Sequence, residues 1–370
     1  MSGAAPPAPG PQDDDGPGAR SSPVARGSPA GPEGNGGRTL VIQTAFLGDV
    51  ILTTPLLAAL ARRHGPVDVV TTPAALVLLE THPAVRQVIG YDKKGKDRGI
   101  TGFRRLVRTL RSEPYARAYL PHRSWRSGAL AVAAGIPERI GFHDGPRVLY
   151  TRTVHRPAAG HEVERLLALA GSVPEPAPPV ALALTPQDHA MADRWLDRHG
   201  IRGRFLALAP GSIWGTKRWP FYQELVHRMD LPVVIVGGPE DRELAESVAA
   251  AGQPAVSAAG ELSLRASAAL LARAALLLTN DSAPLHLATA VGTPIVAIFG
   301  PTIPDFGFGP RGPRDAIMEP PAPLECRPCS KHGPQVCPLG HHRCMHSISV
   351  ETVLQAVKER LGGHGLRTED

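Results

Sequence analysis

Leu278-Thr279-Asn280-Asp281-Ser282-Ala283-Pro284-Leu285-His286, followed by Gly292-Thr293-Pro294-Ile295-Val296-Ala297-Ile298-Phe299-Gly300-Pro301, carries the clearest signal in this chain. An apolar run stops at a small polar cluster, a helix-like segment follows, and a second apolar run ends in Gly-Pro. The pattern predicts a strand, a polar turn, a helix and a strand. Such a turn sets backbone N–H groups at a helix N-terminus, where they can hold a phosphate. The design recurs near the start, where Thr39–Gln43 runs into Thr44-Ala45-Phe46-Leu47-Gly48-Asp49 with a carboxylate in the turn. Two nucleotide-fold halves facing one cleft are the expectation.

Working outward, Thr39–Gln43, Val67–Thr72, Val85–Tyr91, Ala116–Leu120 and Arg139–Phe142 read as strands, with helices near 49–64, 73–81, 100–112 and 124–134. Strands this apolar, alternating with helices, argue for a parallel sheet covered on both faces. Residues 172–185 are rich in Pro and Ala and read as a linker. The pattern then restarts: Phe205–Ala209, Pro232–Gly237, Leu276–Thr279 and Pro294–Phe299 as strands, and helices over 187–199, 220–229, 239–251, 264–273 and 283–291. A last helix near 349–361 ends at Gly362-Gly363. The fold class is α/β, two doubly wound halves, with ligands expected beyond the carboxyl ends of the strands.

At 370 residues the chain has room for two such domains. Residues 1–38 hold nine Gly and eight Pro and almost no large apolar residues, so a disordered tail is expected there; it lacks the apolar segment of a signal peptide. No later stretch approaches a membrane span, and a cytoplasmic protein is expected. The formal charge of +6 is modest, yet Lys93, Lys94, Lys96, Arg98, Arg104, Arg105, Arg108, Arg111, Arg117, Arg123 and Arg126 face only Asp92, Asp97 and Glu113 over one stretch. That is either a solvated helix face with a mobile loop or an electropositive wall for an anionic partner, a phosphorylated glycolipid or a membrane surface. Nucleic acid ranks last among such partners and is not expected.

Four constellations bear on chemistry. After the first strand, Gly48-Asp49 offers a close backbone approach and a carboxylate that is either a helix cap or a general base. One glycine is not a dinucleotide fingerprint, and Thr71-Thr72 supplies no carboxylate for a ribose, which speaks against a nicotinamide enzyme. A helix N-terminus also stabilises a carboxylate, which weakens it as a base. In the second half, Pro210-Gly211-Ser212-Ile213-Trp214-Gly215-Thr216-Lys217-Arg218-Trp219-Pro220 pairs Gly and Ser donors with a lysine that can neutralise phosphate. Asp281, Ser282 and His286 could cap a helix or fill the core. Sharing a sheet edge with the Lys217 loop favours a diphosphate site. Finally Cys326, Cys329, Cys337 and Cys344, with His332, His341, His342 and His346 among them, suggest a structural zinc site, with free buried thiols as the alternative and no catalytic role.

Gly48-Asp49, the Pro210-Gly211…Lys217-Arg218-Trp219-Pro220 loop, Gly237-Gly238-Pro239 and Thr279-Asn280-Asp281-Ser282…His286…Gly300-Pro301, taken in order, resemble the bacterial lipopolysaccharide heptosyltransferases of glycosyltransferase family 9. Ala134-Gly135-Ile136-Pro137-Glu138-Arg139-Ile140-Gly141 and His161-Glu162-Val163-Glu164 favour the heptosyltransferase II branch. The resemblance runs from about residue 39 to about residue 361. It implies a GT-B fold in which 39–178 binds acceptor and 179–348, with a Cys/His-rich segment at 326–346, binds nucleotide sugar; a helix at 349–361 and a flexible end at 362–370 follow. It implies an ADP-heptose donor, an inner-core lipopolysaccharide acceptor of the Kdo-lipid A type, peripheral contact with the cytoplasmic face of the inner membrane, inversion by single displacement, and no required cofactor. By this likeness Asp49 is the base and Lys217 steadies the leaving diphosphate. Gly211, Ser212, Thr216, Lys217, Asp281, Ser282, Ala283 and His286 hold the donor, and Leu262 lies against adenine. Gly48, Arg123 and Arg126 face the acceptor. Ala283-Pro284 departs from the family, which commonly has glycine at the first position, and Pro284 has no N–H to give. No Asp-x-Asp pair follows residue 39. Two rivals stand beside this reading: a transferase of the same fold using another nucleotide sugar in surface polysaccharide assembly, and a non-catalytic nucleotide-binding scaffold.

Overall fold

The computed structural model describes residues 37–171, 177–252 and 254–362. The tail read over 1–38 and the flexible end over 362–370 therefore lie outside the described residues, save that Arg38 opens the first strand and Gly362 caps the last helix. The first half runs β1 (Arg38–Ile42), α1 (Leu47–Leu52), α2 (Thr54–His64), β2 (Val67–Thr71), α3 (Pro73–Leu79), β3 (Val85–Gly90), α4 (Gly99–Arg111), β4 (Tyr115–Leu120), α5 (Trp125–Ala133), β5 (Glu138–Phe142), β6 (Arg152–Val154) and α6 (Glu162–Leu167). The second runs α7 (Pro186–Arg198), β7 (Leu206–Ala209), α8 (Tyr222–His227), β8 (Val233–Ile235), α9 (Arg242–Ala249), β9 (Ala255–Ser257), α10 (Leu264–Arg273), β10 (Leu276–Asn280), α11 (Ala283–Val291), β11 (Ile295–Ile298), β12 (Ala316–Met318), α12 (Arg343–His346) and α13 (Val350–Leu361).

Each half builds one six-stranded parallel sheet, ordered β3-β2-β1-β4-β5-β6 in the first and β12-β11-β10-β7-β8-β9 in the second. The two orders are the same when each half is counted from its own first strand. Strand order reverses between β1 and β4, where Leu40 pairs with Ala118, and between β7 and β10, where Leu208 pairs with Leu278. Loops leaving the carboxyl ends of strands at such a point splay apart and open a crevice. The turns singled out in the sequence, Thr44–Asp49, Pro210–Arg218 and Asp281–His286, all leave these strands.

Both faces of each sheet are covered, as the continuous apolar runs require. In the first half Val41 and Val69 pack on Leu56, Leu60, Leu79 and Leu166, while Leu40, Ile42 and Val70 pack on Leu106, Leu110 and Leu130. In the second, Leu206, Leu208 and Leu278 meet α8, α9 and α13, and Ala207, Ala209 and Leu277 meet α7, α10 and α11. That last cluster also takes in Ile51 of α1 and Leu78 of α3. The halves thus share an apolar seam that seats α1 against α11.

The helix expected over 49–64 is two helices. Pro55 has no N–H for the carbonyl of Ile51, and the Thr54 hydroxyl fills that place at 2.8 Å. The break frees α1 to lie at its own angle on α11. Short elements with no readable period, β6, β9, β12, α6 and α12, were not anticipated; three-residue strands give alternation nothing to act on.

Asn280, fully buried at the end of β10, ties the second switch point together. Its Oδ1 accepts from Trp219 N–H at 3.2 Å and Tyr222 OH at 2.9 Å, and its Nδ2 donates to the Pro210 carbonyl at 2.9 Å. Replacing it by alanine strands three buried partners at a cost of roughly 2–4 kcal/mol. Asn280→Ala should lower the thermal midpoint by several degrees in a melting scan; a midpoint unchanged from wild type would contradict this anchoring role.

Candidate active site

At the second switch point a short helical turn over Gly215–Lys217 buries Lys217, which is 7% exposed. Its ammonium donates to Asp281 Oδ2 at 2.5 Å and to the Asp281 carbonyl at 3.1 Å. The same carboxylate oxygen accepts from the Thr302 hydroxyl at 2.7 Å, so Asp281 is held from both sides. One residue on, the Ser282 hydroxyl is buried with no partner at the N-terminus of the nine-residue α11. An orphaned hydroxyl, an unspent helix N-terminus and a buried cation converge on one spot, a combination suited to an anion. Pro284 takes one N–H away from that first turn, leaving Ala283 to supply it. The Gly211 backbone lies close on the Asp241 carboxylate, which a Cβ at this position would displace. The Ser212 hydroxyl accepts from Trp214 N–H, the Thr216 hydroxyl donates to the Pro334 carbonyl at 2.5 Å, and Arg218 folds back onto the Ser212 carbonyl. Thr216 thus shapes the loop and has its hydroxyl engaged. Leu262 lies partly buried after β9, packed on the cluster that includes α10 and α11.

The first half meets this site through α1. A Cβ built on Gly48 would stand 2.5 Å from His286 Cδ2, so only glycine lets α1 approach the imidazole. His286 is itself buried and held neutral, its pKa pushed down to about 4, first by burial and then by His161 and Lys217 against the pull of Asp281. Beside Gly48, Asp49 accepts the Phe46 N–H at 3.1 Å, and its pKa is pushed up to about 6. Burial is the leading cause; the Glu162 carboxylate adds to it, while the Phe46 N–H and Arg156 oppose. Gln43 and Thr53 brace the turn, Gln43 Nε2 donating to Thr53 Oγ1 at 3.0 Å and Thr53 Oγ1 donating to the Asp49 carbonyl at 2.6 Å. Asp49 and Lys217 are therefore brought to one neighbourhood, joined through Gly48 and His286.

Glu162 and Arg156 escaped the sequence reading as site residues. They pair with each other, and α6 reaches the second half through Glu162 N–H on the Gly307 carbonyl (2.8 Å) and His161 Nε2 on the Gly309 carbonyl (3.0 Å). The signal was present in the His161-Glu162-Val163-Glu164 segment, but nothing local ties it to Asp49.

Around the carboxyl edge of the first sheet, Lys93 Nζ donates to the Thr44 carbonyl at 2.7 Å, and buried polar atoms of Thr71, Tyr91, His122 and His143 have no partner. Arg123 pairs with Asp144 at 2.6 Å, and the Arg126 guanidinium lies 5.8 Å over the Tyr91 ring. This edge of the first sheet is polar and cationic.

Zinc at the Cys/His-rich segment is not shown. The four cysteines are free thiols, and among the described residues no group of three or more His, Cys, Asp or Glu side chains is arranged to hold a metal ion. The four thiols lie near one another: burial first, and then Cys329, Cys337 and Cys326, push the pKa of Cys344 up to about 11, and Cys326 and Cys337 likewise act on Cys329. Cys329 Sγ donates to the Cys326 carbonyl at 3.3 Å, and Cys344 is buried in the core under α12. Cys337 faces backbone N–H groups, His342 foremost, which hold its pKa down. What the segment does is grip the Lys217 loop: Thr216 N–H and hydroxyl meet Pro334, Gln335 Oε1 accepts from Gly215 N–H, and His342 Nε2 meets the Thr216 carbonyl at 2.8 Å.

Comparison with known proteins identifies the family. Residues 103–337 match the family described as glycosyltransferase family 9 (heptosyltransferase). The chain is 29% identical to lipopolysaccharide heptosyltransferase 2 of Escherichia coli K12 over 294 residues, covering 73% of this chain and 84% of that protein. It superposes on the crystal structure of a family 9 glycosyltransferase from Veillonella parvula with a TM-score of 0.79 at 25% identity, covering 88% and 97% of the two chains. With E. coli ADP-heptose lipopolysaccharide heptosyltransferase II the TM-score is 0.71 at 25% identity, covering 88% and 98%.

The raised Asp49 pKa makes a stability prediction. A carboxyl that titrates near 6 when folded, above its unfolded value, contributes most below that unfolded value, and the contribution is lost as pH rises through about 6. Asp49→Asn should therefore be more stable than wild type at pH 8, on the order of 2 kcal/mol or a few degrees in thermal midpoint, with the gap closing toward pH ~4. A variant no more stable than wild type at pH 8 would show that the carboxylate is well solvated.

Proposed function

The chain belongs to glycosyltransferase family 9, and on that premise we propose that it moves L-glycero-D-manno-heptose from ADP-heptose to the inner core of lipopolysaccharide, with inversion at the anomeric carbon. The observation that carries the reading is the meeting of Asp49 with the buried Lys217–Asp281 pair across the Gly48–His286 contact.

In this reading the first half, 39–178, holds the acceptor and the second, 179–348, the nucleotide sugar. The diphosphate lies at the N-terminus of α11, taking the Ala283 N–H and Ser282 hydroxyl and the ammonium of Lys217. Asp49 accepts the proton of the acceptor hydroxyl; the freed oxygen attacks the anomeric carbon opposite the diphosphate, and the C–O bond to ADP breaks. Negative charge growing on the leaving diphosphate meets donors already fixed in place, so little reorganisation is needed. A base titrating near 6 is ionised at cytoplasmic pH yet more basic than an ordinary aspartate. Gly211 keeps the donor loop backbone close, and Leu262 borders the adenine. On the acceptor side Gly48 lets the sugar approach α1. Arg126, Arg123 and the unpartnered polar edge of the first sheet suit the carboxylate and phosphate groups of a Kdo-lipid A type acceptor. Such an acceptor is lipid-linked, which sets the reaction at the cytoplasmic face of the inner membrane. No described helix is long and apolar enough to cross a membrane, and the exposed cations before and along α4 suit a peripheral contact.

The test is incubation with ADP-heptose and defined truncated acceptors, read by mass spectrometry, beside UDP- and GDP-linked sugars. Mass gain of one heptose from ADP-heptose is expected; transfer only from a UDP or GDP sugar would replace this reading with another nucleotide-sugar specificity, and no transfer at all would leave the scaffold. Asp49→Ala should lower turnover by about 10²–10⁴-fold with the fold retained. Lys217→Ala should cost on the order of 10²-fold in kcat/KM for the donor and little in acceptor KM. For wild type, kcat/KM should climb tenfold per pH unit up to about 6 and level off above it. A flat profile from pH 4.5 to 7.5 would remove Asp49 as the base.

A further inference from the structure

His332 belongs to the Cys/His-rich segment, far in sequence from either switch point, and the reaction as derived gives it no part. Its imidazole stacks on the Trp214 indole with ring centroids 5.9 Å apart at an interplanar angle of 13°, and the Phe46 ring meets it edge-on at 5.7 Å and 62°. Phe46 is the N-cap of α1 and belongs to the first half; its N–H is the one bonded to the Asp49 carboxylate. Trp214 belongs to the second half and immediately precedes the turn that carries Lys217. The charges of Lys217 and Asp281 both act on the His332 ring, which puts it at the mouth of the anion pocket.

The backbone under His332 is fixed. Ser330 Oγ accepts from His332 N–H at 3.3 Å and Gly333 N–H at 2.9 Å. Gly333 has φ +77°, and a Cβ there would lie 3.1 Å from Thr216 Oγ1 and 3.6 Å from Lys217 Cγ. Pro334 and Gln335 then bond to Thr216, Gly215 and Ile213. An exposed ring on a backbone fixed to one half, with one side against an exposed phenylalanine of the other half, is a spacer between them. Aromatic contacts of this kind prefer defined geometries over mere burial.

We propose that His332 is a positioning residue: through the Trp214–His332–Phe46 ring stack it fixes the N-cap of α1, and with it Asp49, at its working distance from the Lys217 loop. This rests on the heptosyl-transfer reading and deepens it. The ring's shape carries the role, so an aromatic without ring nitrogens should serve in its place. Phe46 and His332 act as one unit and should not be additive when both are removed.

The experiment uses the full chain with ADP-heptose and a truncated acceptor, following kcat and both KM values across pH. His332→Ala should lower kcat by on the order of tenfold or more, because misplacing a reacting group by a fraction of an ångström is costly, with less than a threefold change in acceptor KM. His332→Phe should restore kcat to within about threefold of wild type. Phe46→Ala should match His332→Ala, and the double variant should be no slower than the worse single one within about twofold. Because Asp49 owes its elevated pKa first to burial, loosening the stack should also move the acid limb of kcat/KM below its wild-type position near 6. His332→Ala with wild-type kcat overturns the proposal. A Phe variant as slow as the Ala variant overturns it too, by assigning the effect to the imidazole nitrogens. So does a double variant whose losses multiply. If His332→Ala does not fold, the Phe46→Ala and His332→Phe pair decides the matter alone. Absence of transfer by wild-type enzyme would instead strike the underlying reading, so the two failures are told apart.

Discussion

A lysine ammonium buried beside a single carboxylate is the interaction on which this structure turns. Lys217 and Asp281 have side chains only 9% and 11% exposed, and the pair stands at 2.5 Å. Desolvating both ions costs several kcal/mol each, and their attraction offsets this only with good geometry and further hydrogen bonds. The protein supplies those through Thr302 on the carboxylate and the Asp281 carbonyl on the ammonium. A well-packed apolar pair would serve stability as well or better, so the arrangement is hard to explain by folding alone. It makes sense as a cation held ready, with its charge balanced until an anion arrives at the neighbouring helix end. Much of the second half serves that purpose: Asn280 locks the loop bearing Lys217 to β10, and the 330–342 segment clamps its outer side.

The carboxylate of the first half faces two opposing effects. Its place in the first turn of α1 and its bond to Phe46 N–H favour the ionised form, whereas burial and Glu162 disfavour it. Burial, with Glu162 beside it, outweighs the Phe46 N–H and Arg156. A helix of six residues has little macrodipole, and a single N–H bond offsets only part of the lost hydration. The break at Pro55 thus matters beyond backbone geometry: one continuous helix over 49–64 would have set a stronger dipole against the acid. Gly48 completes the arrangement by letting α1 sit directly on His286, which burial keeps neutral, so that no added positive charge draws the pKa of Asp49 back down.

How far this could be read from the chain depends on distance along it. Strand–turn–helix units announce themselves locally, through apolar runs ending in Gly, Ser or Asp, and so both halves and three of the site's turns were legible. The site's composition was less so. Ser282 and Asp281 stand where the turn put them, but the Thr216 hydroxyl is engaged by Pro334 and Arg123 by Asp144, partners that no spacing rule connects. Glu162 raises the pKa of a residue more than a hundred positions away, a coupling created wholly by α6 folding over the first sheet. Three-residue strands such as β6 and β12 form because a neighbouring strand offers hydrogen bonds, a property of the sheet rather than of their own side chains.

In the Cys/His-rich segment, residue type and geometry have to be read together. Thiols and imidazoles crowded into some twenty positions look like ligands, since soft donors at short spacing are what a tetrahedral ion needs. Coordination also requires those donors to meet at one centre; the four thiols lie near one another, yet among the described residues no group of three or more is arranged to hold a metal ion. Cys344 turns into the core with Met345, Cys337 toward backbone N–H groups, His342 onto the Thr216 carbonyl, and His332 outward between Trp214 and Phe46. The same segment also shapes the loop beneath it, through Gln335 on Gly215, Pro334 on Thr216 and His342 on the Thr216 carbonyl. A segment that braces the loop carrying the cation and reaches across to the helix carrying the acid can govern how closely the two stand, which is the variable a displacement between two bound substrates is most sensitive to.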